Sequence, residues 1–254
     1  MLSIWIYSLT SVVVVSLISL VGVITLAFQK THRERLLLFL VALSAGALFG
    51  EVLIHLLPEL FATTLKPQAL SLTVLLGIVS FFILEKFLHW SHRHPVEDCE
   101  HAGHQAEKPL GLINSVGDGL HNLIDGLIIG VSYLTSFPLG VATTVAVILH
   151  EIPQEIGDFA ILLQAGFSRR RAIMFNLLSA STALAGVIIA LLIGPRIELW
   201  QPLLLGFASG GFLYIAGSDL VPELHRETEL KKTGWQLVAM ISGIAIMLGL
   251  KLFE

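Results

Sequence analysis

Two stretches carry residue types at odds with their apolar surroundings. GLINSVGDGLHNLIDGLIIG (111–130) holds Asn114, Asp118, His121, Asn122 and Asp125, and HEIPQEIGDF (150–159) holds His150, Glu151, Gln154, Glu155 and Asp158. On a helix, i, i+3 and i+4 neighbours share a face, so the first set forms one polar stripe. The second forms two ladders, His150–Gln154–Asp158 and Glu151–Glu155–Asp158. Imidazole nitrogen with carboxylate and amide oxygen is a donor set for a borderline or hard divalent metal: zinc, iron or manganese. Thiolate is absent from both stretches, which argues against copper(I). The lone Cys99 excludes a cysteine-built zinc site and an intrachain disulfide.

The elements that must position these residues are membrane spans. The chain has 254 residues, 55% of them hydrophobic and 13% charged, with a mean hydropathy of +0.83. A soluble domain carries about 25% charged residues. Apolar runs long enough to cross a hydrocarbon core of about 30 Å recur throughout. Eight spans are expected, at about 4–28, 36–61, 68–90, 110–136, 139–166, 172–194, 200–222 and 234–253. The fold class is an all-α polytopic membrane protein. His121 and His150 each fall near the middle of a span, and sequential antiparallel helices bring the two polar faces to one depth.

An acid at a helix centre costs about 2.5–3.5 kcal/mol to insert. Asp125, Glu151, Glu155 and Asp158 together cost on the order of 10 kcal/mol, with no Lys or Arg in these two spans to offset them. Such acids are protonated, face a water-filled path or pair with a bound cation. Pro153 leaves the Leu149 carbonyl without its helical N–H and is expected to kink the helix beside these groups. Polar residues in spans also act as packing glue between helices, and Asn114 alone reads that way. Gly117, Gly119, Gly126 and Gly130 read as permitting close helix approach. An intramembrane zinc metalloprotease is the alternative, because HEIPQ differs by one residue from HExxH; Gln154 stands where the second zinc-binding histidine belongs.

Orientation follows from basic residues. Lys30, Arg33, Arg35, Lys86, Arg93, Lys108, Arg169, Arg170, Arg171, Arg226, Lys231 and Lys232 fall on one side, and Lys66, Arg196 and Lys251 on the other. The first side is assigned to the cytoplasm and both termini to the outside. A shift of 164 positions lays GALFGEVLIHLLPEL (46–60) on GGFLYIAGSDLVPEL (210–224), matching Gly46 with Gly210 and Pro58 with Pro222. Because those spans cross in opposite directions, the halves form an inverted repeat in a 3+2+3 arrangement, as in many secondary transporters. The expected divisions are 1–90 (first repeat), 91–109 (His-rich cytoplasmic loop), 110–166 (the two polar spans) and 167–254 (second repeat). Glu51 and His55 on span 2, and Asp219 and Glu223 on span 7, read as steps along a pathway. His89, His92, His94, His101 and His104 form a loop set that modulates through weak metal binding.

HNLIDG followed by HEIPQEIGDFAILLQAG closely resembles the ZIP (Zrt- and Irt-like) metal transporters, in the branch whose fifth span carries HExPHE. The resemblance covers essentially the whole chain. It implies a site for divalent metal between spans 4 and 5, able to hold two adjacent ions, at His121, Asn122, Asp125, His150, Glu151 and Gln154. It also implies import into the cytoplasm, with spans 1, 4, 5 and 6 shifting as a bundle against the rest. Gln154 departs from the branch's histidine, so weaker zinc preference and more tolerance of iron or manganese are expected. Zinc or another divalent ion is then substrate, with no organic cofactor and no enzymatic step; no GxxxxGK[ST] appears. The expected partners are the metal, the lipid bilayer and a second copy as a homodimer, with no nucleic acid. The plasma (inner) membrane is the expected location.

Overall fold

The computed structural model describes residues 2–21, 30–92, 108–194 and 200–252. Among the described residues there is no strand, and eight helical rods follow in order. α1 is Leu2–Ile18. α2 runs from Lys30–Gly50 through Glu51–Leu56 and Leu57–Phe61. α3 is Pro67–His92, α4 is Lys108–Thr135 and α5 is Phe137–Gln164. α6 is Arg169–Ala180 and, after a break at Ser181, Thr182–Ile193. α7 is Trp200–Tyr214 with Ile215–Leu220 and Val221–Leu224, and α8 is Leu230–Lys251. The protein is an all-α polytopic membrane protein. Among the described residues five stretches are long and apolar enough to span: Leu36–Phe61, Pro67–Lys86, Arg169–Ile193, Gln201–Leu224 and Lys232–Lys251. α4 and α5 have 28 residues each, and their polar stripes dilute their hydropathy below that of the five.

The ends of the site helices follow local rules. Ser136 caps α5 by accepting the Leu139 N–H at 3.2 Å, with Pro138 in the first turn where a missing N–H does no harm. At the other end Gly166 adopts φ +80°. The Phe167 N–H then reaches the Leu162 carbonyl at 3.1 Å and the Gly166 N–H reaches Leu163 at 3.1 Å, while Phe167 packs in one apolar cluster with Leu162.

Three helix pairs meet through reciprocal glycines. A Cβ on Gly126 of α4 would lie 1.9 Å from the Ala183 carbonyl oxygen of α6, and one on Gly186 would lie 2.1 Å from that of Leu123. Gly46 and Gly243 do the same for α2 and α8, as do Gly77 and Gly210 for α3 and α7. In a bilayer such close approach supplies the van der Waals contact that water-driven burial supplies elsewhere. The outward faces of α3 and α8 stay apolar and exposed, with Leu72, Leu75, Leu76 and Ile83 on one and Leu237, Ile241 and Leu248 on the other.

α2 and α7 are not plain α-helices. Glu51–Leu56 and Ile215–Leu220 are π-helical turns, closed by the Leu57 N–H on the Val52 carbonyl and the Val221 N–H on the Ala216 carbonyl. The 164-residue shift carries one turn onto the other. Each is followed by a proline, Pro58 or Pro222, in the first turn of the next helical piece. A proline withholds its N–H and crowds the carbonyl four residues back, and a widened turn relieves both. Such insertions favour functional positions.

Candidate metal site

α4 and α5 face each other as antiparallel rungs. His150 Nε2 lies 3.1 Å from Asp125 Oδ2 and 3.3 Å from His121 Nε2. His121 Nε2 is 3.6 Å from Glu151 Oε1. Further along, Gln154 Nε2 donates to Asp118 Oδ1 at 3.3 Å and Asn114 Nδ2 donates to Asp158 Oδ1 at 2.8 Å. The 3.6-residue period of each helix produces this register: one partner per turn on each side.

His121, Asp125, His150 and Glu151 offer one ligand atom each, all within 4.8 Å of one another and buried. His150 Nδ1 lies 3.1 Å from the Ala146 carbonyl, a contact that turns Nε2 toward the cluster. Phe81 and Phe212 set their rings edgewise against His121 and His150, with centroids 6.0 and 5.6 Å apart. Asp118, Glu151 and Glu155 likewise bring one carboxylate oxygen each within 4.8 Å of one another, with Glu151 common to both groups. Asp118 Oδ2, Asn122 Oδ1, Asp125 Oδ1, Glu151 Oε1, Glu155 Oε1 and Asp158 Oδ2 are buried with no hydrogen-bond partner among the described residues. So many oriented oxygens without a donor are costly in a low-dielectric interior unless a cation or water meets them.

The amide residues do more than the sequence suggested. Asn122 gives Nδ2 to Asp118 Oδ1 at 2.9 Å, and Gln154 holds the same oxygen, so both clamp an acid as well as facing the site. Pro153 does not interrupt α5, which continues through it, and the freed Leu149 carbonyl accepts the Ser44 hydroxyl from α2. A neighbouring helix thus supplies the donor that Pro153 withholds. Three further polar residues carry no motif; Asn176 acts at this cluster, and Thr143 and Ser132 act away from it, at Glu51. Asn176 on α6 donates to Glu155 Oε2 at 2.7 Å. Thr143 donates to Glu51 Oε1 at 2.5 Å and lies 3.0 Å from Ser132 Oγ. Serine, threonine and asparagine on span faces were a signal, but a weak one, because such residues also pack without function.

A cavity of about 350 Å³ lies beside the cluster, lined by His121, Asp118, Gln154, Asp158, Asp219 and Glu223 among others. Asp219 and Glu223 thus share a space with the cluster, and Glu223 pairs with Arg226 at 2.7 Å. Glu51 and His55 are fully buried elsewhere, Glu51 against Thr143 and His55 with Nε2 2.9 Å from the Met247 carbonyl. His89 and His92 end α3, and His94, His101 and His104 lie outside the described residues.

A buried imidazole–carboxylate cluster between two helices of a polytopic bundle, beside a cavity into which several carboxylates face, is the architecture of a membrane protein that handles cations. The family described as ZIP zinc transporter matches residues 2–111 and 91–251. Zinc transporter ZIP13 of Pongo abelii is 36% identical over 236 residues, covering 87% of this chain and 68% of its own. The Drosophila melanogaster zinc transporter ZIP13 homolog is 30% identical, over 96% of this chain and 88% of its own. The metal cation symporter ZIP14 of Xenopus tropicalis is 31% identical, over 99% and 70%. The chain belongs to the ZIP zinc transporter family, and its activity is metal-cation transport across a membrane. The metalloprotease alternative has no support. These relatives are named as transporters, and the imidazole beside His150 comes from His121 on the other helix, not from position 154.

Proposed function

We propose that the protein imports divalent metal, zinc first, into the cytoplasm through a site on α4 and α5 whose ligands are His121, Asp125, His150 and Glu151. The observation that carries this is the convergence of those four donors, two imidazoles and two carboxylates, within 4.8 Å in a buried position. Such a set replaces the water shell of a borderline ion. Gln154 contributes an amide where the family's branch has an imidazole, so discrimination for zinc over iron(II) and manganese is weak. Asn122 and Gln154 act mainly through Asp118. Asp219 and Glu223 form the inward end of the path, because the cavity they line adjoins the cluster on the side rich in Lys and Arg.

In this reading the chain is two inverted three-helix repeats flanking α4 and α5, with eight spans, both termini outside and the plasma (inner) membrane as host. The matching π-helical turns at positions 164 residues apart support the repeat, and the placement of basic residues supports the orientation. The test is uptake into proteoliposomes holding a metal-sensitive dye, with zinc, iron(II), manganese and cadmium compared. Saturable uptake by the native chain that is lost in His121→Ala and His150→Ala is expected. Uptake that survives in both variants rules this site out.

A further inference from the structure

The donor spacing in the imidazole-bearing cluster states a coordination number. His150 Nε2 lies 3.1 Å from Asp125 Oδ2, 3.3 Å from His121 Nε2 and 3.7 Å from Glu151 Oε1, and His121 Nε2 lies 3.6 Å from each of those carboxylate oxygens. Bonds of about 2.0–2.1 Å to a four-coordinate ion put donors about 3.3 Å apart, whereas six-coordination brings neighbours to about 2.9 Å. The four donors are set for an ion that needs no water. The cavity beside them is set for any divalent ion. Glu85, Asp118, Asp158, Asp219 and Glu223 line it, with no Lys or Arg among the described lining residues. Carboxylates gather such ions without ranking them, magnesium included.

Between the two stands an aromatic ring. Of the four donor residues only His121 lines the cavity. Phe81 lines it too, is 4% exposed, and sets its ring edgewise against the His121 imidazole with centroids 6.0 Å apart. Gly211 on α7 is its seat: a Cβ there would lie 2.4 Å from Phe81 Cε2. Phe207 flanks the ring at 6.2 Å, and Phe212, fully buried, covers His150 at 5.6 Å.

We infer that Phe81, seated on Gly211, is a specificity-determining residue: its ring keeps the cluster four-coordinate and shuts out an ion that retains its waters, magnesium above all. The inference rests on the reading that His121, Asp125, His150 and Glu151 bind the transported metal. Magnesium is octahedral and dehydrates reluctantly, so it would have to carry water into the space that the ring fills. Zinc accepts four protein donors alone. The acids of the cavity collect both ions, and the ring decides which of them the imidazoles can meet.

The test places cobalt(II) in the full chain in lipid nanodiscs, because four-coordinate cobalt absorbs visible light far more strongly than six-coordinate cobalt. The native chain is expected to give the intense band and to keep it when magnesium is added. Phe81→Ala should lose most of that intensity as water joins the ion. It should also yield its cobalt at a magnesium concentration at least about 10-fold lower than the native chain requires, the scale on which groups outside the ligand set act. Gly211→Ala, whose methyl displaces the ring, should behave as Phe81→Ala does, while Phe81→Leu should stay near the native spectrum. A weak, six-coordinate band in the native chain overturns the inference before any variant is made. So does a Phe81→Ala chain with native spectrum and native magnesium response, or one that loses affinity for zinc, cobalt and magnesium alike, as a merely structural role would produce. Those outcomes leave the site itself standing. A native chain that binds no cobalt, or an intense band that survives both His121→Ala and His150→Ala, sinks the proposed site as well.

Discussion

Side-chain hydrogen bonds sort the eight helices into two groups. In α1, α4, α5 and α6, Ser11 meets Tyr133, Ser16 reaches the Ala180 carbonyl, Asn114 holds Asp158, Asn176 holds Glu155 and Thr182 reaches the Gly119 carbonyl. In α2, α3, α7 and α8, His55 meets the Met247 carbonyl, Tyr214 donates to Glu85 and Gln236 reaches the Leu224 carbonyl. The glycine contacts keep to the same division: Gly126 and Gly186 join α4 to α6, Gly46 and Gly243 join α2 to α8, and Gly77 and Gly210 join α3 to α7. Between the groups the contact is largely ring and aliphatic, as where Phe81 meets His121 and Phe212 meets His150. Among the described residues, hydrogen bonds that cross include Ser44 to the Leu149 carbonyl and Thr143 to Glu51. One group is thus cross-braced around the imidazole–carboxylate cluster and the other presents a wall with two π-helical turns. Directional bonds and backbone-close glycines fix geometry, whereas apolar faces allow small sliding. The difference places rigidity where ligands must hold their distances.

The largest effect separates two buried histidines, one in each group. His150→Ala, in the braced group, should lower zinc uptake by more than about 100-fold, beyond the range for merely orienting groups. His55→Ala, in the wall, removes a partner of a backbone carbonyl and should cost about 1–3 kcal/mol of stability while uptake persists. Equal loss of uptake in both would erase the contrast.

Glycines test the bracing itself. Gly126→Ala sets a methyl 1.9 Å from a backbone oxygen, so α4 and α6 must part, at a cost of about 3 kcal/mol. Gly157→Ala meets nothing within 4 Å and lies inside α5, so it should stabilise by about 0.5–1 kcal/mol. Unfolding in detergent followed by circular dichroism reads both, and a neutral Gly126→Ala would remove the close-approach argument.

Asn176→Ala leaves Glu155 Oε2 without its donor, a loss of about 1–3 kcal/mol in stability. Because Asn176 lies inside the braced group, the half-saturating metal concentration should rise with it. Ser44→Ala is the smallest and sharpest case. Its bond crosses between the groups, so losing about 1 kcal/mol there should shift the maximal uptake rate by about 5-fold and leave half-saturation unchanged. If Ser44→Ala changes half-saturation and Asn176→Ala changes only the rate, the division into braced group and wall is wrong.

Much of this was legible in the sequence for local reasons. Spans follow from apolar run length. The stripe on α4 and the ladders on α5 follow from helical period. Their meeting at one depth follows from two sequential helices joined at Ser136. The Pro58–Pro222 correspondence was visible too, although the extra width of the turns before them was not, since a π turn and an α turn differ by one residue in a hydrogen-bond path and not in composition. What only the tertiary structure decided involves partners far apart in the chain. Ser44 answers the carbonyl that Pro153 frees 105 positions away, Thr143 meets Glu51 across 92, and Asn176 clamps Glu155 from a third helix. Periodicity states which face of a helix a residue occupies; only packing states what that face meets, and a hydrogen bond requires the second as much as the first.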